Sequence, residues 1–386
     1  MDIESGAPWN PFIRASHMGR VFIRKIDDIQ DCLLQCWNEI SSRQSAPMRS
    51  VLIKPNFINA LPSDAGVTTS LQVIDAVICF LRERAVARIA IGEASMLDTS
   101  DVFRALKIHE NFRGIEILNL AECTHKAVAS PTGLVMKIIS VPEVIHEFDC
   151  IINIPKMKTH ELTSVTLGMK NFFAFLPSTG RKFAHVTDID SAIVDVYSYM
   201  HSIKPIITLI DGTVAMSGKR GPVHGTPVAL NTIIAGCNAV GVDWIAAQFM
   251  GARPENIRHL ALAKPLICGS IRDVEIDDTS SHMRDAVFEF PSSIPLRVHL
   301  ISLKNRIFKK HAVWKYPDTC TRCGACVKVC PRQCIMLDPT ALQIDLRRCV
   351  GCLCCCEACA FGAMDSEIRF SWIYTAMIRL KKWLLP

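Results

Sequence analysis

"IINIPKMKTHELTSVTLGMKNFF" runs from Ile151 to Phe173. Its opening apolar run lacks the alternation of a half-exposed strand, so it predicts a strand buried on both faces, as in a parallel sheet. It then places Lys156, Lys158 and His160 at every second position. Held extended, these three side chains point the same way, because strand side chains alternate. A helix beginning near Leu162 would carry Thr163, Thr166 and Lys170 on one face. Cations beside a helix N-terminus make a favourable anion site, since free N–H groups, dipole and ammonium charges act together. The bland reading of the same residues is a lysine-rich loop that caps the sheet.

The pattern repeats on either side. "SVLIKP" (50–55), "ARIAIGE" (87–93), "IEILNL" (115–120), "LVMKIISVP" (134–142), "DCIINIP" (149–155), "PIITLIDG" (205–212) and "VALNTIIAG" (228–236) read as strands. "SLQVIDAVICFLRER" (70–84), "TSDVFRAL" (99–106) and "NAVGVDWIAAQFMG" (238–251) have helical apolar spacing. Continuous apolar strands interleaved with amphipathic helices predict an α/β domain over 48–290, with a mostly parallel sheet covered by helices on both faces. Residues 1–47 are expected to form an extension packed on it.

Ligands of such sheets sit outside the C-terminal strand ends. The strands end in Lys54 and Asn56, in Glu93, in Lys156, Lys158, Thr159 and His160, and in Asp211. The catalytic candidates are His160 as proton donor, Lys156 and Lys158 as anion holders and Asp211 as a carboxylate that, with Glu93, orients the substrate or ligates a divalent metal. Lys54, Asn56, Glu93, Thr159, Thr163, Thr166, Lys170 and His185 are the candidate substrate-binding residues. The segment "SGKRGPVHG" (217–225) reads as a loop closing over a ligand or as a plain surface turn; it lacks P-loop spacing.

Eleven of the 18 cysteines fall between Cys320 and Cys359. Cys320, Cys323, Cys326 and Cys330 form C-x2-C-x2-C-x3-C-P; Cys349, Cys352, Cys355 and Cys359 repeat the spacing, with Ala360 in place of proline. This is the two-cluster ferredoxin pattern, in which the fourth cysteine of each run ligates the other cluster. One [4Fe–4S] cluster would use Cys320, Cys323, Cys326 and Cys359; the second would use Cys349, Cys352, Cys355 and Cys330. A zinc ribbon needs only four of these residues at other spacings. Cys334, Cys354 and Cys356 are left over; they read as packing beside the clusters or standing in for small residues, and the sharper reading gives them a redox or ligand-exchange role. Cys32, Cys36, Cys79, Cys123, Cys150, Cys237 and Cys268 read mostly as small buried hydrophobes. A small α+β ferredoxin domain is thus expected over 315–368, after a basic linker (291–314).

With 49% hydrophobic and 21% charged residues the chain reads as folded rather than disordered. From Leu300 onward 14 Lys and Arg stand against 6 Asp and Glu, and the remainder carries 29 against 31. That basic excess offsets anionic clusters and gives no stacking platform, so nucleic acid is not an expected partner. No apolar run of about 18 residues predicts a membrane span. The N-terminus lacks the layout of a signal peptide, and a cytoplasmic location is the expectation. "FSWIYTAMIRLKKWLLP" (370–386) reads as a basic amphipathic helix for peripheral membrane contact, a partner or the protein's own surface.

"KPNF" (54–57), "GVTT" (66–69), "IGE" (91–93), "NIPKMKTHELTSVTLGMKNFF" (153–173), "LIDG" (209–212) and "VGVDWIAAQFMG" (240–251) resemble the domain-of-unknown-function family 362. Its members often carry a C-terminal ferredoxin domain and are labelled uncharacterised iron–sulfur centre proteins. The resemblance implies the two-part architecture and a redox setting, and supplies no substrate. "CLCCCEACA" departs from it, being denser in cysteine than a usual ferredoxin loop. The expected function is an iron–sulfur oxidoreductase passing electrons through two clusters to an anionic small molecule or cofactor, with a protein electron donor or acceptor. The rival expectation is a non-catalytic carrier or maturation factor.

Overall fold

A computed structural model describes residues 20–43, 46–267, 275–278, 288–291 and 310–368. The chain divides into two compact units, Met1–Pro291 and Ser292–Pro386. The tail helix expected over 369–386 and Cys268 lie outside the described residues.

The first unit is organised round a ten-stranded sheet. Its elements are β1 (Arg20–Lys25), β2 (Ser50–Lys54), β3 (Arg88–Glu93), β4 (Glu116–Asn119), a separate antiparallel pair β5 (His125–Ala129) and β6 (Ile138–Pro142), then β7 (Cys150–Asn153), β8 (Lys156–His160), β9 (Ser164–Thr166), β10 (Ile206–Ser217), β11 (Thr226–Gly236) and β12 (Glu275–Asp278). β4, β3, β2, β7 and β10 lie side by side and parallel, with Ile53 opposite Ile152 and Thr208 opposite Asn153. β11 and β1 extend the sheet antiparallel, and β12 lies parallel to β1. The 1–47 region is therefore more than a packed extension: β1 is a strand of the sheet itself.

Alternation along the strands feeds two cores. Val51 and Ile53 join Ile152, Leu209 and the helices Ile29–Ser41 and Leu71–Glu83 on one face. Leu52 joins Ile151, Ile210 and the helices Ile189–Ile203 and Ala239–Phe249 on the other. With both faces covered, every residue of β7 is buried, which accounts for its unbroken apolar sequence. Helix starts follow local chemistry: Asp98, Asp188 and Asn238 accept the backbone N–H of Asp101, Ser191 and Val240.

Three expectations are corrected. No helix begins near Leu162; β8 turns back into β9, with Lys158 opposite Thr166, and helix starts only at Gly168, as a short α-turn over Gly168–Asn171 continued by a 3-10 turn over Phe172–Phe175. Ser164 takes a left-handed φ of 67° in the β8–β9 turn, and Asp243 accepts Gly168 N and Met169 N at 2.6 and 2.8 Å to start the short helix. Thr163, Thr166 and Lys170 thus share no helical face. The strand expected over 134–142 shortens to β6 and leaves the main sheet. The N–H groups of Leu134, Val135 and Met136 donate to the buried Asp195 carboxylate instead of to a ladder. Cys79 is exposed on the outer side of its helix, whereas Cys32, Cys36 and Cys150 are buried as expected.

In the second unit strand Lys310–Trp314 pairs with Met364–Ile368, and Ile335–Leu337 with Leu342–Ile344. The last five residues of the expected linker therefore belong to this unit. Ala325–Val329 and Cys354–Glu357 are short helices.

Candidate functional site

The chain runs from β2 outward to β3 and β4, then returns to β7 on the other side of β2. Winding reverses between β2 and β7, and the crevice beyond such a reversal is where α/β sheets take ligands. Lys54, Asn56 and Lys156 follow directly from these two strand ends.

Lys54 is fully buried, with Nζ donating to Glu93 Oε1 at 2.7 Å and to Pro55 O at 2.6 Å. Burial pushes its pKa down, and the Glu93 carboxylate opposes that. Glu93 also accepts Ala94 N and Phe57 N, so its three contacts fix the loop after β2 to the end of β3. Asn56 is half-buried and donates through Nδ2 to Asn171 Oδ1 at 2.9 Å.

Asn171 Nδ2 lies within 3.1 Å of Lys54 O and Pro55 O and 2.8 Å from Asn153 Oδ1. One amide thus bridges the ends of β2 and β7, at the reversal point. Neither Asn153 nor Asn171 was singled out in the sequence; the only signal was their place at a strand end and in the same conspicuous segment.

Lys156 Nζ donates to Asp211 Oδ2 at 2.9 Å and to Thr213 Oγ1 at 3.3 Å. Asp211 further accepts Ser70 N at 2.7 Å and both donors of Thr213. Lys158 Nζ reaches Val67 O at 2.7 Å, and Thr69 Oγ1 accepts Asn56 N while donating to Ile154 O. Residues 67–70 are consequently the hub that ties β2, β7, β8 and β10 together. Gly66 makes this possible: its φ is 71°, and a Cβ there would sit 2.6 Å from Ala215 O.

His160 is fully buried, and its Nδ1 accepts Leu162 N and Thr163 N at 3.1 and 3.3 Å. Accepting at Nδ1 requires the neutral ring with its proton on Nε2. Thr159 Oγ1 donates to Gly218 O, and Glu161 N donates to Gly221 O. The glycine-rich segment connects β10 to β11 and lies against β8, with Gly221, Pro222 and Val223 buried. Thr163 is occupied by Val165 O. Thr166 is 5% exposed and its Oγ1 has no hydrogen-bond partner among the described residues. Lys170 and His185 are half-buried, and His185 stands edge-on to Phe173. Arg181, not among the candidates, donates to Ala94 O and Ser95 O beside Glu93.

The strand-end cations are therefore gathered as expected, but inside the protein and already partnered, not lining an open anion pocket. The arrangement locks strand ends; its half-exposed rim holds Asn56, Thr213, Lys170 and Arg181.

The cysteine unit is built as a repeat. Each cysteine of the first run recurs 29 positions later, and the backbone repeats with it. Arg322 and Gly351, Gly324 and Leu353, and Gln333 and Gly362 are three pairs at that offset, all with left-handed φ between 49° and 73°. These turns curl each loop round a cavity. One is lined by Cys320, Cys323, Cys326 and Cys359. The other is lined by Cys349, Cys352, Cys355 and Cys330, together with Cys334. Each cavity draws three thiols from one run and the fourth from the other. Soft thiols in sets of four, on loops with inward-turned backbone, fit [4Fe–4S] clusters. Cys354 and Cys356 are buried outside both linings, and Cys356 Sγ faces Asp365 O at 3.3 Å.

Comparison with known proteins matches residues 51–248 to the family described as Domain of unknown function (DUF362), and 313–336 to a 4Fe-4S binding domain. A thylakoid-associated protein of Synechocystis is 24% identical over 251 residues, covering 63% of this chain and 75% of its own. Electron transport protein HydN of Escherichia coli is 28% identical over 106 residues, covering 26% of this chain and 56% of HydN. The lactate racemase apoprotein from Thermoanaerobacterium thermosaccharolyticum aligns over 61% of this chain and 58% of its own, at 11% identity and a TM-score of 0.40. No helix among the described residues is long and apolar enough to cross a membrane.

Proposed function

The chain belongs to the DUF362 family and carries an iron–sulfur electron-transfer unit, and from that premise we propose that it is an oxidoreductase with two [4Fe–4S] clusters. The observation that carries the reading is the pair of matched cavities, each ringed by four cysteines drawn from both runs. Cys320, Cys323, Cys326 and Cys359 hold one cluster; Cys349, Cys352, Cys355 and Cys330 hold the other. When bound, the clusters accept and release single electrons. The basic balance of the C-terminal part offsets their negative charge.

The substrate of this reading is an anionic small molecule or cofactor at the crevice between the ends of β2 and β7. Half-exposed Lys170 and Asn56 meet it at the rim, and Lys156 and Asp211 hold the strand ends in place beneath. His160 keeps its proton on Nε2, the atom from which a donation would be made. The electron partner is a soluble protein.

A second reading, a non-catalytic carrier that passes electrons to a partner protein, is favoured by one observation. Lys54, Lys156 and Lys158 are fully buried and already bound to Glu93, Asp211 and Val67 O. In that case the α/β unit is a docking or ligand-sensing module.

Anaerobic purification with iron analysis, EPR after dithionite and mass spectrometry of co-purifying small molecules tests both. About eight irons per chain and a retained anion support the enzyme reading. Loss of turnover in Lys170→Ala with unchanged iron would secure it; unchanged electron transfer to a partner would favour the carrier. A chain isolated without iron would sink both.

A further inference from the structure

The second cavity holds five thiols where the first holds four. At the 29-residue offset that relates the two halves, Cys334 corresponds to Ala363. Both line their respective cavities, so the repeat places a methyl group at one cavity wall and a thiol at the other. Cys334 Sγ lies 3.4 Å from Cys330 Sγ, and Cys334 N donates to Cys330 Sγ at the same distance. Cys330 and Cys334 are both buried, and their sulfurs stand side by side at the position from which the fourth ligand reaches the second cluster.

We propose that Cys334 is an alternative fourth ligand of the second cluster, exchanging with Cys330. The proposal rests on the two-cluster reading given above. In the exchange the iron–sulfur bond to Cys330 breaks as one to Cys334 forms. The Cys334 thiol gives up its proton and Cys330 Sγ takes one up, so charge and electron count are unchanged. The two ligands differ in attachment. Cys330 ends the short helix Ala325–Val329, whereas Cys334 precedes strand Ile335–Leu337. The exchange therefore alters which piece of backbone holds the cluster and the hydrogen bonds its fourth sulfur receives. Those are the levers by which a protein sets a cluster's potential. The first cluster, facing Ala363, has no such option.

The test compares the two halves. Wild type, C330A, C359A, C334A and C330A/C334A are reconstituted anaerobically with iron and sulfide and examined by iron analysis and EPR of the dithionite-reduced state. C330A is expected to keep about eight irons per chain with an altered signal from one cluster, while C359A and C330A/C334A lose one cluster, to about four. C334A keeps both clusters. A second arm transplants the device: A363C added to C359A is expected to restore the lost cluster. Equal iron loss in C330A and C359A, or no rescue by A363C, overturns the proposal. Wild type holding about four irons would instead bring down the two-cluster reading on which it stands.

Discussion

Lys156 Nζ lies 2.9 Å from Asp211 Oδ2, and neither side chain has exposed surface. The two residues stand opposite each other in the parallel pairing of β8 with β10. Removing one partner of a buried pair leaves a charge without compensation, which costs about 3–5 kcal/mol. In Lys156→Met the Asp211 carboxylate keeps Ser70 N and the two donors of Thr213. The expected destabilisation is therefore near the lower end, about 3 kcal/mol. Urea unfolding followed by circular dichroism measures it. Iron content should not change, because the thiols belong to the other unit; a loss below about 1 kcal/mol would mean that the pair contributes little.

Gly221 lies so close to β8 that a Cβ would meet Thr159 O at 2.1 Å. That atom is backbone and cannot swing away. Gly221→Ala must lift the 218–225 connection off β8, breaking the Thr159–Gly218 and Glu161–Gly221 bonds. Gly114→Ala is the control: its φ is 75° but nothing stands within 4 Å. It should cost about 1–2 kcal/mol, the left-handed penalty alone. The melting temperature of Gly221→Ala should fall well below that of Gly114→Ala, and equal values would contradict the packing.

Asp243 is fully buried, and burial pushes its pKa up to about 7 against the opposing pull of Met169 N and Gly168 N. Between the unfolded value near 4 and about 7 the folded chain holds a proton that the unfolded chain lacks. Stability from this group is thus complete below about pH 4 and is lost as pH rises through 7. Asp243→Asn carries no such proton. The stability of wild type relative to Asp243→Asn should fall by a few kcal/mol between pH 4.5 and 7.5. Denaturation at the two pH values checks the slope, and a constant difference would show the carboxyl to be ionised throughout.

Strand runs and the repeated cysteine spacing were legible because each depends on nearby sequence. A buried parallel strand must be apolar throughout, and a thiol loop round a cubane has fixed spacing. The 160–171 region was not, because its shape is decided from afar. Asp243 starts the short helix, and pairing with β8 makes Ser164–Thr166 a strand. The i, i+3, i+7 spacing of Thr163, Thr166 and Lys170 coincided with a helix without forming one. The partners of the strand-end lysines were equally hidden. Lys158 ends on Val67 O and Asn171 on Lys54 O, contacts that only the winding of the sheet creates. Cys334 was legible as a leftover thiol near the cluster loops, but its place in the lining of the second cavity, 3.4 Å from Cys330 Sγ, came only from the structure.

The two units should respond differently to loss of iron. Over its described residues the cysteine unit has two-stranded ribbons and short helices, and among them the buried apolar residues, such as Ile335, Leu342, Leu353 and Met364, are few. Among the described residues, three of its six left-handed positions are Arg322, Gln333 and Leu353, each about 1–2 kcal/mol less favourable than glycine would be. A small unit with strained loops and a thin core depends on metal–thiolate bonds to fold, as other small metal domains do. The α/β unit has two continuous cores and needs no metal to form them. Anaerobic removal of iron by a chelator should therefore expose 310–368 to limited proteolysis while the fragment carrying 20–267 survives. Cleavage sites located by mass spectrometry decide the matter: protection of 310–368 in the iron-free chain would show that the unit folds without iron.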